Sequence, residues 1–162
     1  MEIEKKYTIK ELPLELEQYD RKEIEQGYLC SNPIVRIRKS NENYILTYKS
    51  KFGLENLNDQ NTCINNEVEV PLNREGYEHL KGKVDNQLIS KTRYIIPLSD
   101  KLKAELDIFH NQLQGLQFVE VEFTDELEAN SFIPPFWFGE DVSKDRKYHN
   151  NYLSTLKDYS EW

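Results

Sequence analysis

Residues 2–7 read Glu-Ile-Glu-Lys-Lys-Tyr, and this short stretch indicates how the chain folds. In a β-strand successive side chains point to opposite faces, so the two glutamates and Lys6 would share one face while Ile3 and Tyr7 lie on the other. Two carboxylates on one face repel each other unless a cation or basic groups lie between them. A single pair of this kind usually faces solvent, and it gains meaning here because it is repeated along the chain.

Pairs of like charges at i and i+2 recur in runs of alternating polar and apolar residues, which predict strands with one charged and one apolar face. The acidic pairs are Glu67/Glu69, Glu105/Asp107 and Glu120/Glu122, and the basic pairs are Arg36/Arg38 and Lys91/Arg93. Solvated faces usually mix lysine with glutamate. Segregation by sign therefore favours a site where a metal ion meets one wall and a phosphate-like anion meets another.

The alternation and the turn residues between the runs predict eight strands. They cover residues 2–10, 22–29, 34–39, 44–50, 63–71, 87–97, 102–109 and 116–124. Asn73 and Asp125 are placed to cap short helices ending near Lys81 and Asn130, and a final helix is predicted at 150–156. The polar segment 51–62 is predicted to be a mobile loop.

Composition limits the classes of function. The 162 residues predict one domain over 1–162 with a sizeable core. The 29 acidic residues exceed the 21 lysines and arginines, and a net charge of -8 argues against nucleic-acid or anionic-membrane binding. Cys30 and Cys63 have no metal-ligand spacing, so we expect reduced thiols in a cytoplasmic protein. We expect no membrane span and no signal peptide.

Two architectures accommodate these strands. In a sandwich the apolar faces would meet in a core and the charges would face water. In a closed antiparallel barrel the charges would line the interior, and the apolar faces would lie outside beneath helices and loops. The alternation alone leaves both open.

Taken in order, the motifs resemble those of the CYTH superfamily, also called triphosphate tunnel metalloenzymes. The resemblance covers nearly the whole chain. The matching segments are Glu2-x-Glu4-x-Lys6, Gln26-Gly27-Tyr28-Leu29, Arg36-x-Arg38, Leu46-Thr47-Tyr48-Lys49, Glu67-x-Glu69, Lys91-x-Arg93-Tyr94, Glu105-x-Asp107, Glu120-x-Glu122, Gly139-Glu140-Asp141-Val142-Ser143-Lys144-Asp145 and Tyr148-His149-Asn150-Asn151-Tyr152-Leu153. One departure is 143–145, Ser-Lys-Asp, where the family often has Thr-Gly-Asp.

The resemblance implies a mainly β fold, namely a closed eight-stranded antiparallel barrel with a charged interior and a few peripheral helices. It also implies a triphosphate substrate bound with one or two Mg²⁺ or Mn²⁺ ions. The implied metal ligands are Glu2, Glu4 and Glu122, with Glu120, Glu69 and Glu67 as candidates for a second ion or its waters. The implied phosphate-binding residues are Lys6, Arg36, Arg38, Lys49, Lys91 and Arg93.

We expect hydrolysis of a phosphoanhydride, with inorganic tripolyphosphate giving pyrophosphate and phosphate. The catalytic candidates are Glu4, Lys91 as an alternative general base, and Tyr28, which would orient Lys91 or the substrate. Burial and the neighbouring Arg93 would lower the pKa of Lys91, as a lysine base requires. Further candidates for the site are Glu105, Asp107 and Lys144.

Other functions on the same fold stay open: a class IV adenylyl cyclase, a thiamine triphosphatase, a nucleoside triphosphatase, or a polyphosphate-binding module without turnover. The expected partner is a small-molecule triphosphate, without nucleic acid or membrane, and the chain is expected to be a monomer or homodimer. No site role is expected for His79, His110 and His149. An apolar packing plug is expected from Phe136, Trp137 and Phe138.

Overall fold

The computed structural model describes residues 2–54 and 63–162, and its strands form one antiparallel sheet. Their bounds are β1 (Glu2–Ile9), β2 (Asp20–Ser31), β3 (Ile34–Ser40), β4 (Asn43–Ser50), β5 (Cys63–Leu72), β6 (Asp85–Pro97), β7 (Lys103–Phe109), β8 (Gln117–Phe123) and β9 (Phe138–Asp141). The first eight confirm the predicted strands, although β2 is longer than expected. Most of the predicted loop at 51–62 lies outside the described residues.

The sheet closes into a barrel because β1 pairs with strands at both ends of the series. The order is β5-β4-β3-β2-β6-β7-β8-β1, and β1 pairs again with β5. Residues 2–4 of β1 pair with residues 63–65 of β5, while residues 3–7 pair with β8. The extra strand β9 pairs with the end of β1 that β5 leaves open. The predicted closed eight-stranded antiparallel barrel is therefore confirmed.

Apolar side chains cover the outside of the barrel on β1, β6, β7 and β8. The segment that contains α2 (Glu126–Ser131) and β9 packs over them. Trp137 and Phe138 from this segment are buried, whereas Phe136 is 77% exposed. The packing plug is thus confirmed for two of its three predicted residues and is wrong for Phe136. Phe136 lies in the turn that precedes β9, which the Phe138 N–H closes by donating to the Pro135 carbonyl oxygen. Its side chain therefore faces solvent, while Trp137 and Phe138 are buried in this layer.

A second apolar cluster includes inward-facing side chains near one end of the barrel. Phe109, Phe118 and Ile89 from the strands pack there against Leu153 and Leu156 near the C-terminus. Such burial stabilises a fold by about 1.5–3 kcal/mol for each large side chain. The charged part of the interior is therefore bounded on one side by a packed apolar layer.

The two predicted caps are present. The Asn73 side chain accepts a hydrogen bond from Gly76 N at the start of α1 (Arg74–Lys81), and Asp125 does the same for Glu128 N in α2. The prediction of a final helix over 150–156 is wrong in length, because α3 covers only Asn150–Leu153. The Ser154 carbonyl oxygen instead accepts a hydrogen bond from the Gln87 backbone, which draws the chain towards β6.

Gly139 allows β9 to approach β1 closely. A Cβ at this position would overlap the hydroxyl oxygen of Thr8 and lie 3.2 Å from the Thr8 carbonyl oxygen. We predict that Gly139→Ala lowers the free energy of unfolding by about 1–3 kcal/mol, because β9 or β1 must shift. Urea unfolding followed by circular dichroism measures this change.

The matched control is Gly82→Ala at the end of α1. Gly82 has φ −70°, and a Cβ there would meet nothing nearer than the His79 carbonyl oxygen at 3.5 Å. We expect this variant to be neutral or stabilised by up to about 1 kcal/mol. Equal unfolding curves for the two variants would contradict the proposed close contact.

Candidate active site

A cavity of about 490 Å³ lies within the barrel and is lined mostly by polar side chains, including seven carboxylates and seven lysines or arginines. Thirteen predicted site residues line it: Glu2, Glu4, Lys6, Tyr28, Arg36, Arg38, Lys49, Glu67, Glu69, Arg93, Glu105, Glu120 and Glu122. Three predicted residues do not line it. Lys91 and Asp107 are fully buried, and Lys144 is exposed on the loop after β9.

Three carboxylates form what we call the acidic wall, made of Glu2, Glu4 and Glu122. The glutamates of β1 alternate with the outward-facing Ile3, which is buried in the apolar layer between the outside of the barrel and the segment of α2 and β9. Glu122 lies directly opposite Glu4 in the register between β1 and β8. The strand alternation predicted from residues 2–7 is therefore what brings these carboxylates together.

All three carboxylates of the acidic wall have raised pKa values. Burial and then repulsion from Glu120 hold the pKa of Glu4 well above its ordinary value. Burial and a hydrogen bond with Glu67 raise the pKa of Glu2 to about 7, although Lys49 opposes the shift. Burial and repulsion from Glu2 raise the pKa of Glu122. A cation at this wall would relieve the repulsion that these shifts express.

Glu120 differs from the acidic wall because basic side chains hold its charge. Its Oε1 lies 3.7 Å from Lys6 Nζ and 3.9 Å from Arg93 Nη2. Burial raises the pKa of Glu120, but these two bases outweigh burial and keep it well below its ordinary value. Glu120 is thus ionised without a metal, and its charge is already shared.

Two lysines link the acidic wall to the rest of the cavity. Lys49 Nζ lies 2.7 Å from Glu2 Oε1 and 3.7 Å from Glu67 Oε2. Lys6 Nζ donates a 2.6 Å hydrogen bond to the Tyr148 carbonyl oxygen and lies 4.4 Å from the centre of the Phe118 ring. Both ammonium groups are therefore held at the cavity surface by fixed partners.

Lys91, Arg93 and Asp107 form a buried ion cluster beside the cavity. Asp107 accepts hydrogen bonds of 2.8 Å from Lys91 Nζ and of 2.7 and 2.8 Å from Arg93 Nε and Nη2. Burial lowers the pKa of Lys91 to about 7, with Asp107 opposing the shift and Arg93 adding to it. The predicted direction and causes of the Lys91 shift are confirmed. Lys91 also donates to Asn150 Oδ1 at 3.4 Å, so it contacts the C-terminal helix.

Arg36 and Arg38 on β3, here called the arginine pair, form no ion pair with any described carboxylate. The Nε of Arg36 is buried and has no hydrogen-bond partner among the described residues. Burial, together with Arg36 and Arg93, lowers the pKa of Arg38. Buried guanidinium groups without a counter-charge are costly, so this wall is suited to an incoming anion.

The donor set of the acidic wall fits a hard divalent cation. Carboxylate oxygens are the protein ligands that Mg²⁺ and Mn²⁺ prefer. Within residues 2–54 and 63–162, no group of three or more candidate ligands is already gathered around one point. Mg²⁺ usually takes one or two carboxylates and completes its shell with water and substrate phosphate oxygens. The residues present therefore fit an ion that is shared with a phosphate substrate.

Comparison with known proteins gives independent evidence for the family of this chain. An inorganic triphosphatase from Nitrosomonas europaea is 35% identical over 157 residues, which cover 94% of this chain and 96% of that protein. The chain belongs to the triphosphate tunnel, or CYTH, family. No family model matches the sequence.

Solved structures agree with the family assignment. The crystal structure of the inorganic triphosphatase NE1496 has a TM-score of 0.68 with this chain at 32% identity, covering 98% of this chain and 97% of that one. The PH1012 protein from Pyrococcus horikoshii has a TM-score of 0.57 at 22% identity, covering 80% and 84% of the two chains. The second likeness shows the tunnel fold alone.

No helix in the described part of the chain is long and apolar enough to cross a membrane.

The structure also places residues in this tunnel that sequence reasoning missed. Lys22, Lys51 and His149 also line the cavity, and the expectation that His149 has no role in the site stays a prediction. Its Nε2 lies 3.4 Å from the Ser143 carbonyl oxygen. The position of Lys22 could have been predicted from the sequence, since it precedes Tyr28 by an even number of residues on β2. The position of His149 could not, because it depends on how the C-terminal segment packs.

Tyr28 lines the cavity but is only 3% exposed. It packs in the second apolar cluster, with Phe109 and Phe118, and its hydroxyl group accepts a 3.3 Å hydrogen bond from Gln26 Nε2. No hydrogen bond between Tyr28 and Lys91 is present among the described residues. A role for Tyr28 in orienting Lys91 therefore stays a prediction without a direct contact to support it.

The buried ion cluster generates a prediction about stability. Asp107→Asn should lower the free energy of unfolding by about 3–5 kcal/mol, because it removes the ion-pair partner of the fully buried Lys91. Arg93 would keep only its longer contacts to Glu105 and Glu120, at 3.5 and 3.9 Å. Urea unfolding at neutral pH measures this. The control is Glu105→Gln on the same strand, since Glu105 makes one 3.5 Å contact to Arg93 Nη1 from a partly exposed position. We expect a loss of less than about 1 kcal/mol there. Similar losses in both variants would contradict the assignment.

Proposed function

We propose that this protein hydrolyses inorganic tripolyphosphate to pyrophosphate and phosphate with the help of Mg²⁺ or Mn²⁺. The observation that carries the proposal is one cavity in which an acidic wall with raised pKa values lies across from an arginine pair that has no ion-pair partner among the described residues. A metal-bound triphosphate complements both walls at once. The relative named as an inorganic triphosphatase, 35% identical over most of both chains, supports the same activity.

The basic side chains bind and orient the phosphate chain. Arg36 and Arg38 present guanidinium groups, which can form paired hydrogen bonds with phosphate oxygens. Lys6 and Lys49 add ammonium groups at the boundary with the acidic carboxylates. Charge that develops on the transferring and leaving phosphates would be stabilised by these fixed groups, which need little rearrangement.

Glu2, Glu4 and Glu122 would hold the divalent ion, with Glu69 and Glu67 available at the rim for a second ion or its waters. Such an ion withdraws charge from phosphate oxygens and so makes the phosphorus atom more electrophilic. Glu120 is the least available ligand, because Lys6 and Arg93 already share its charge.

The residue that takes the proton from the attacking water is proposed to be a carboxylate of the cavity. Lys91 has a suitable pKa of about 7 but lies behind the cavity lining, with its Nζ bonded to Asp107 and Asn150. A general base must come within hydrogen-bond reach of its proton. Lys91 would therefore act through the electrostatics of Arg93 unless the C-terminal segment moved.

The lining also bears on which triphosphate is preferred. A nucleobase or thiamine ring needs an aromatic or apolar platform. Tyr28 is the only Phe, Tyr or Trp side chain that lines the cavity among the described residues, and it is almost fully buried. We therefore place tripolyphosphate before ATP and thiamine triphosphate. The cyclase, thiamine triphosphatase and nucleoside triphosphatase activities remain outcomes of the test.

The first test compares substrates. Phosphate release from tripolyphosphate, ATP and thiamine triphosphate is measured with Mg²⁺, with Mn²⁺ and with EDTA. We expect tripolyphosphate to be preferred and its turnover to be lost in EDTA. Cyclic AMP with pyrophosphate from ATP would replace the proposal with a cyclase, and binding of all three without turnover would indicate a polyphosphate-binding module.

The second test concerns the acidic carboxylates. Glu4→Gln should reduce metal-dependent turnover by about a hundredfold or more while the barrel stays folded, because an amide is a poor ligand for Mg²⁺. Glu11→Gln, an exposed position that follows β1, is the control and should keep wild-type activity. Normal activity in the Glu4 variant would contradict the metal assignment.

The third test measures metal binding without activity. Mg²⁺ or Mn²⁺ should raise the melting temperature more at about pH 8 than at about pH 5.5, because protons compete with the metal for carboxylates of raised pKa. The sign follows from Glu2, whose raised pKa of about 7 makes the metal-free protein lose stability as the pH rises through that value. Glu4→Gln should reduce the shift, and an equal shift at both pH values would contradict the assignment.

A further inference from the structure

Five of the seven basic side chains of the cavity fall into two classes by the groups that hold them. Lys6, Lys49 and Arg93 each lie within 4 Å of a carboxylate, at distances of 3.7, 2.7 and 2.7 Å. Arg36 and Arg38 have no such partner among the described residues. These two are nevertheless not loose, because each is bonded through its guanidinium group to a neutral oxygen atom.

The neutral partners are two fully buried side chains of the barrel interior, Gln26 and Thr47. Arg38 Nε donates a 2.8 Å hydrogen bond to Gln26 Oε1. Arg36 Nη2 donates a 3.2 Å hydrogen bond to Thr47 Oγ1. Both contacts cross between neighbouring strands, since Gln26 lies opposite Arg38 in β2–β3 and Thr47 lies opposite Arg36 in β3–β4.

Further hydrogen bonds fix the orientation of both acceptors. Gln26 Nε2 donates to the Tyr28 hydroxyl at 3.3 Å, which turns the amide oxygen towards Arg38. Thr47 Oγ1 donates to Glu69 Oε2 at 3.3 Å, which leaves its lone pairs for Arg36. The acceptors are thus held in place by groups other than the arginines they contact.

The neutrality of these acceptors matters for anion binding. A carboxylate at the same place would orient the guanidinium equally well, but it would also cancel the charge that an anion needs. An amide or hydroxyl oxygen satisfies one N–H group and leaves the positive charge uncompensated. Arg93, bonded to Asp107, shows the compensated alternative within the same cavity.

We propose that Gln26 and Thr47 are positioning residues, which aim Arg38 and Arg36 at substrate phosphates through neutral oxygens and so keep both charges available. The inference rests on the proposed triphosphatase function for its kinetic test. It assigns Gln26, a buried polar residue of β2, a role in substrate affinity and not only in packing.

The decisive variant is Gln26→Glu, which keeps the size and the acceptor oxygen but adds a negative charge beside Arg38. We expect KM for tripolyphosphate to rise about tenfold or more and kcat to fall by a smaller factor, because Arg38 would bind phosphate oxygens in the ground state as well as in the transition state. The melting temperature should stay at or above the wild-type value, since an ion pair replaces a neutral hydrogen bond. A purely structural role would lower the melting temperature and leave KM unchanged.

Gln112→Glu is the matched control, with the same change of charge at a residue that lies outside the cavity lining and donates to the Leu88 carbonyl oxygen. It should keep the wild-type KM. An unchanged KM in Gln26→Glu, or an equal rise in Gln112→Glu, would overturn the inference for Arg38.

Thr47 is tested with two variants of similar size. Thr47→Ser keeps the hydroxyl and should keep KM within about twofold of wild type, whereas Thr47→Val loses the acceptor and should raise KM by about three- to tenfold. Equal KM values for the two variants would overturn the inference for Arg36.

Calorimetric titration of tripolyphosphate in EDTA separates this inference from the proposed function. If wild-type protein binds tripolyphosphate without hydrolysing it under any metal condition, the triphosphatase proposal fails. A binding loss of about tenfold or more in Gln26→Glu would then still support the positioning role. If wild-type protein hydrolyses tripolyphosphate and Gln26→Glu matches it in KM and affinity, the positioning role fails and the function stands.

Discussion

Like charges held inside a closed barrel repel one another more strongly than the same charges on an open surface, because the interior screens them less. Glu4 on β1 lies opposite Glu122 on β8. Burial raises the pKa of both, with repulsion from Glu120 adding to the shift of Glu4 and repulsion from Glu2 adding to that of Glu122. Basic side chains pair with some of the other carboxylates, since Lys49 forms an ion pair with Glu2 and Lys6 forms one with Glu120. Within residues 2–54 and 63–162, two carboxylates of the acidic wall, Glu4 and Glu122, and the arginine pair have no ion-pair partner. They lie far apart around the barrel, since β3 is four strands from β8 in the ring.

The contrast between the buried ion cluster and the arginine pair follows from what each must do. Lys91 and Arg93 share the Asp107 carboxylate as a counter-charge at hydrogen-bond distance, because a lone buried charge would cost several kcal/mol. Arg36 and Arg38 border the cavity, where a ligand can supply the missing charge. Their desolvation is therefore a cost that substrate binding can offset, and proteins commonly keep such costs at functional sites.

Much of the barrel could be predicted from the period of two in its strands. Residues 2–7 were enough to place Glu2 and Glu4 opposite Ile3, and eight strands were located within a few residues of their ends. What the alternation could not decide was whether the charges faced water or an interior. That choice depends on β1 pairing with both β5 and β8, which is a long-range property of the whole sheet.

The alternation of polar and apolar residues also could not predict which groups surround each charged side chain. Arg36/Arg38 and Lys91/Arg93 have the same spacing, yet only the second pair is neutralised. The difference arises because Arg93 lies opposite Asp107 in the register between β6 and β7, while Arg36 and Arg38 lie opposite Thr47 and Ile45 on β4. The strand β9 was missed because it has four residues and depends on the close approach permitted by Gly139. Cross-strand register and chain packing, not local sequence, determine these features.

The two faces of each strand have separate roles. Val121 on β8 faces outward and is fully buried against the apolar layer, while its neighbours Glu120 and Glu122 face the cavity. Outward burial contributes about 1.5–3 kcal/mol for each large side chain, whereas buried charges inside the barrel reduce stability until a ligand pairs with them. A barrel with its apolar core outside can therefore tolerate a strained, charged interior. A sandwich with the same sequence would place these carboxylates in water, where their repulsion would be screened and no anion site would form.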